Sequence, residues 1–356
     1  MNEINEESNS LNQKGWVYCP SCGKKLPDID KQKFCLRCGI DLELVKNKKI
    51  SLSSYALSVK QFYFKARTVE RIPESEILEV GKRKLWNSFA SIGIPIAAFI
   101  LLNFITLFIM IFFIGLLTSP EDLIGIVLNP YFVVGSSFIE LVFILIPVLY
   151  IGKYLQNSKI SNRLALLGFT SRGYNNYRIM KEILIGLGFA VVAFFLVFFV
   201  SLFIQLILEL IFGIEIVYSA GGSLNEVDMI IANSDIVALI LLILTMLIII
   251  GPSEEILFRG FMQKGLVRSL GKIGGIIITA IVFSFIHLIG IFVTAYSAPI
   301  EYLISFLLNF FPYFAISLLL GLLFYWRKEN LIAVVITHGF YNALTIIIAY
   351  IYFSVF

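Results

Sequence analysis

From residue 86 onward the chain is a succession of apolar runs, at about 86–117, 131–156, 181–212, 235–262, 273–293, 302–326 and 331–354. Each is long enough for a helix to cross a bilayer, which takes roughly 20 apolar residues. Backbone that faces lipid must satisfy its own hydrogen bonds, so only helices or a closed barrel can span. Barrel strands alternate apolar and polar over about ten residues, and these runs do not. The expected fold is therefore an all-α polytopic membrane protein, a bundle of about seven transmembrane helices. Composition agrees: 58% of the 356 residues are hydrophobic, against about 45–50% apolar in soluble domains.

The charges between the runs orient the bundle. "GKRK" precedes the first run, and the loop around "SPEDL" is acidic. The next loop carries Lys153, Lys159, Arg163, Arg172, Arg178 and Lys181 without an acid. The one after it carries Glu215, Glu226, Asp228 and Asp235 without a base. Arg259, Lys264, Arg268 and Lys272 come next, and the last turn is "WRKEN". Lysine and arginine thus recur in every second loop, the positive-inside pattern. It predicts a multi-pass protein of the cell membrane with its N-terminus in the cytosol and its C-terminus outside.

Ahead of the bundle, residues 1–14 read as a disordered, acidic and polar start with no secretory signal. Residues 15–45 hold all four cysteines, and residues 46–85 form a polar juxtamembrane linker. "CPSCG" and "CLRCG" are two CxxC pairs, each followed by glycine. Sulfurs two residues apart can share one tetrahedral zinc, and glycine permits the tight turn behind them. The expectation is a cytosolic zinc ribbon in which Cys19, Cys22, Cys35 and Cys38 hold one structural Zn2+. The competing reading, two disulfides, is disfavoured where thiols stay reduced. The ribbon offers a surface to a protein partner that the cysteines do not identify.

The polar residues inside the apolar runs carry the functional signal. "GPSEEILFRG" ends an uncharged stretch, Ile236–Ile250, on two adjacent carboxylates with an arginine close behind. A charge at the centre of a bilayer costs from about 2.5 to well over 10 kcal/mol. Glu255 and Arg259 are four apart and share a helix face, acid first, the favourable order. Glu254 lies about 100° away and has no local cation. Pro252 cannot donate to the carbonyl of Ile248, so a kink is expected there. The chain's two histidines, His287 in "FSFIH" and His338 in "HGFYN", also sit in apolar runs, and Asn342 lies beyond His338 on the same face. One reading is a polar network that ties helices together. The other is a functional site facing the bundle interior. A carboxylate there can take a proton from water, a histidine can orient that water, and a histidine with an asparagine amide can hold an oxyanion. Depth is a difficulty. If the helix of His287 starts at Lys272, the histidine lies about 22 Å along it, whereas Glu254 and His338 fall nearer the cytosolic side.

"EEILFR", "FSFIH" and "HGFYN" resemble, in order and helix placement, the three motifs EExxxR, FxxxH and HxxxN of the CAAX protease and bacteriocin-processing family of intramembrane glutamic endopeptidases. The resemblance covers about residues 180–356; the zinc ribbon lies outside it. It implies a peptidase acting within or near the membrane on a membrane-associated protein or peptide. Glu254 would activate water with His287, His338 and Asn342 would form an oxyanion hole, and Glu255 and Arg259 would support the first motif. Older readings of this family place a metal at the acidic and histidine residues, which the sequence leaves open; no active-site cofactor is otherwise expected. Two rival readings remain. An ion- or proton-coupled transporter would use acid and histidine as a relay, but no internal repeat of the transporter kind is evident. A catalytically idle scaffold or immunity protein would lack a motif residue, and none is missing. The partners expected are the bilayer and the peptide substrate, with no nucleic acid.

Overall fold

The computed structural model describes residues 85–115, 119, 125–221, 226–289, 291 and 298–355. The segment expected to form a zinc ribbon, with its four cysteines, and most of the expected linker lie outside the described residues. The helices belong to the compact unit Arg71–Phe356.

Among the described residues, six helical elements are long and apolar enough to cross a membrane. Five of their starts are set by an asparagine or aspartate whose side chain accepts a free backbone N–H, as N-caps do. Asn87 caps α1 (Ser88–Ile109) through Ala90, and Asn129 caps α2 (Pro130–Tyr154) through Tyr131, with Pro130 in the first turn. Asn175 caps α3 (Asn176–Phe212) through Arg178. Asp235 caps the Ile236–His287 element through Ala238. Proline again occupies the first turn of α6 (Pro299–Trp326), and Asn330 accepts from the amide of Ile332 at the head of α7 (Ile332–Val355).

The Ile236–His287 element is two rods. Gly271 breaks it with φ 77° and ψ 174°, a conformation open to glycine and closed to most side chains. The chain reverses there: a Cβ placed on Gly275 would lie 2.5 Å from the amide nitrogen of Val267. We refer to 236–270 as α4 and 272–287 as α5. The sequence expectation of about seven helices is thus met by six continuous elements, one of which folds back on itself.

α7 packs along α3, and α6 lies against both α3 and α5. The Thr337 hydroxyl donates to the Gly186 carbonyl across the α3–α7 contact at 3.1 Å. An ion pair between Arg327 and the buried Glu182 ties the end of α6 to the start of α3. The core of Phe258, Phe261, Phe283, Leu320, Phe324 and Leu331 sits beneath a cluster of polar side chains on α4, α5 and α7. Trp86 closes that core, stacked on Phe261 at 4.9 Å and donating to that residue's carbonyl. In contrast, Phe195, Phe198, Phe199, Leu202, Phe203 and Leu206 of α3 are exposed. An exposed apolar face of that length is costly in water and is what a lipid-facing helix requires.

Candidate active site

The site is built where α4 departs from regular helix. Pro252 has no N–H to give, and the turns before it widen to π-helix over Met246–Ile250. One α-helical turn, Gly251–Glu255, comes next, and then a second π stretch, Ile256–Gln263. Glu254 and Glu255 therefore stand on a single regular turn between two wide ones. Wide turns of this kind recur at functional sites, because they re-aim side chains without ending the helix. Where a kink at Pro252 is expected, the structure has π-helix on either side of one regular turn.

α7 crosses α4 at this turn in backbone contact. A Cβ on Gly251 would come within 3.3 Å of the Cα and N of Gly339, and one on Gly339 would lie 3.1 Å from the Cα of Leu247. The two glycines set His338 directly over the carboxylates. Gly339→Val should push α7 away, costing about 1–3 kcal/mol of stability as overpacking does. It should also reduce turnover more than that loss alone predicts, because His338 moves with the helix. A melting curve beside an activity measurement separates the two effects.

Glu255 and Arg259 are fully buried. The guanidinium donates to Glu255 Oε1 at 3.0 Å and, through its other terminal nitrogen, to the Ser317 hydroxyl on α6 at 3.0 Å. The sequence placed that ion pair correctly. It did not show that His338 joins it: His338 Nδ1 lies 2.7 Å from Glu255 Oε1. A carboxylate can only accept, so Nδ1 carries the hydrogen, and a neutral His338 presents the lone pair of Nε2 on its far side.

His287 is held the same way. Its Nδ1 lies 2.8 Å from the Phe283 carbonyl, again an acceptor, which leaves Nε2 facing outward. The ring is sandwiched between Phe283, at 4.2 Å between centroids, and Tyr313 of α6, at 4.8 Å. Both Nε2 atoms converge on Glu254 Oε2, at 3.7 Å from His287 and 3.8 Å from His338. These spacings are too long for direct hydrogen bonds. Glu254 is 8% exposed, and its Oε2 has no hydrogen-bond partner.

The depth difficulty resolves through the reversal at Gly271. Glu254 lies 17 residues before it (271 − 254) and His287 lies 16 after it (287 − 271), so a hairpin brings them to one level. Asn342 lies one helical turn beyond His338, with its amide nitrogen 3.8 Å from Met246 Sδ in the first π stretch. No direct hydrogen bond links it to Glu254 or to either histidine among the described residues.

Two side chains at the site escaped the sequence reading. Tyr313 has no motif around it, and only its distance from His287 reveals it. Tyr313→Ala should free the imidazole to rotate and lower turnover about 10–100-fold, since small misplacements of a reacting group carry penalties of that size. Tyr313→Phe keeps the wall and should retain most activity; steady-state kinetics on the pair tests this. Glu140, the one acid of α2, was legible by the rule that singled out Glu254, a carboxylate alone in an apolar run.

No curated protein and no solved structure matches the chain. Residues 236–344, which contain every motif side chain named above, match the family model described as Rce1-like, type II CAAX prenyl endopeptidase Rce1-like.

Proposed function

We propose that the protein is an intramembrane endopeptidase that hydrolyses a peptide bond of a membrane-associated protein or peptide with water activated by Glu254 and the two histidines. The observation that carries this is the convergence of three acceptors, Glu254 Oε2 and two imidazole Nε2 atoms, at spacings a water bridges and a direct bond does not. Acceptors facing one another repel unless a hydrogen lies between them. A water there donates to the carboxylate and to one imidazole while its own lone pair is left for the substrate carbonyl. As the oxygen attacks, Glu254 takes the proton and passes it to the departing amine. His287, pinned between Phe283 and Tyr313, orients the water. Asn342, on the face of α7 that carries His338, is the amide donor we assign to the oxyanion.

The donor set, two imidazoles and a carboxylate, is also chemistry that holds a divalent metal. The deciding experiment reconstitutes the full chain in vesicles with a pool of membrane peptides and reads the products by mass spectrometry, with and without a strong chelator. Cleavage that survives chelation supports the reading. Cleavage lost with chelator and restored by metal replaces it with a metallopeptidase, and a pool that stays intact removes peptidase activity.

The chain is a multi-pass membrane protein, and the loop charges support placing its N-terminus in the cytosol. There we propose a zinc ribbon on Cys19, Cys22, Cys35 and Cys38. Metal analysis of the purified, reduced chain should find one zinc, lost when Cys19 and Cys22 are both replaced by serine. A chain that holds none refutes the ribbon.

A further inference from the structure

The carboxyls within the membrane-spanning helices fall into two groups. Glu182 is bonded by Arg327, Glu209 by Gln205, Glu255 by Arg259 and His338, and Glu301 by Ser219 and the amide of Ala298. Glu254 faces the imidazoles of His287 and His338 at 3.7 and 3.8 Å, whereas Glu140 has no bonded partner among the described residues and its Oε2 is buried without a hydrogen bond. Glu140 stands on a tightened 3-10 turn, Ser137–Leu141, in the middle of α2. That turn packs against Met246–Ile250 and Gly251–Glu255, the stretch that carries Glu254. The nearby guanidinium, Arg259, is committed to Glu255 and Ser317.

A fold that partners its other intramembrane carboxyls and leaves Glu140 alone, on a turn packed against the one that carries Glu254, has left a cation to come from elsewhere. An unpaired buried carboxylate is expensive, and an incoming positive charge relieves that expense. We propose that Glu140 is a recognition carboxylate that binds an ammonium group of the peptide beside the bond attacked at Glu254. This rests on the peptidase reading and narrows its substrate to peptides with a cation near the cleavage point. A neutral side chain at that place leaves Glu140 unpaired and binds less well. An acidic one adds a third carboxylate and is rejected.

The test uses the full chain in vesicles and N-acetylated membrane peptides in which one position at a time carries lysine or norleucine, which keeps the stem and removes the charge. At one position lysine should raise kcat/KM by about 30-fold or more over norleucine, the low end of what losing one partner of a buried charge pair removes. Glu140→Gln should erase that preference, bringing the ratio of kcat/KM for the lysine and norleucine peptides to about one. Repeating the series with free N-termini separates the two sources of ammonium. A preference that tracks the free amine assigns Glu140 to the peptide N-terminus, and one that stays with lysine assigns it to a side chain. If Glu140→Gln does not fold, the lysine–norleucine comparison on the unaltered chain decides alone. Equal cleavage of both peptides overturns the proposal, as does a lysine preference that persists in Glu140→Gln. Equal cleavage with both slowed in Glu140→Gln makes Glu140 a proton carrier instead. If no peptide of any kind is cut, the peptidase reading falls and this inference with it.

Discussion

Glu254→Gln should reduce peptide cleavage by two to four orders of magnitude while the protein keeps its fold. The first half comes from chemistry: an amide cannot accept the proton of the attacking water, and a positioned general base contributes about 10²–10⁴-fold. The second half comes from the packing. Glu254 makes no direct hydrogen bond that the substitution would break, and its neighbours, the Nε2 atoms of His287 and His338, are acceptors that an amide N–H can satisfy. A neutral amide is also easier to bury than a carboxylate. The melting temperature in detergent should therefore hold or rise. A proteolysis assay run beside a melting curve checks both. An active, well-folded Glu254→Gln would mean that another group takes the proton, and the acceptor triad would need a metal, transport or scaffold explanation.

Range along the chain decides which features of the fold and the site were legible in the sequence. The helices were legible because each apolar run satisfies a local rule of length and polarity, and the caps Asn87, Asn129, Asn175 and Asp235 are local too. The Glu255–Arg259 pair was legible because four residues is one helical turn. The bond from His338 to Glu255 was not, because it spans 83 residues. It depends on two glycines, 251 and 339, that let α4 and α7 touch. Tyr313 was hidden for the same reason: nothing near it in the chain marks it, and α6 must fold against α5 before its ring meets His287. The apparent mismatch in depth came from treating α4 and α5 as independent spans. Gly271 makes them a hairpin, and residues equidistant from its turn share a level.

That long-range bond changes what Glu255→Gln should do. On the local pair alone, the substitution strands a buried arginine, and breaking a buried pair by removing one partner costs about 3–5 kcal/mol. Arg259 is wholly enclosed and keeps hydrogen bonds only to Ser317, beside the face of the Phe283 ring at 4.7 Å, so the melting temperature should fall clearly and expression with it. Combining it with Arg259→Met removes the stranded charge and fills the space with an apolar chain of similar length, which should recover much of the stability. Turnover should not recover. Glu255 Oε1 also fixes which nitrogen of His338 carries the hydrogen, and so aims the other at Glu254. A glutamine can present its nitrogen instead of its oxygen there, which releases the ring or reverses its tautomer. The double variant should thus separate the two roles: a melting curve near that of the unaltered chain, and cleavage still depressed by about 10²-fold, the scale of a lost proton-handling geometry. Full recovery of both would reduce Glu255 to a counter-ion for Arg259. Recovery of neither would mean that the arginine's contact with Ser317 on α6 holds the site together, and that α4 cannot keep its two wide turns without it.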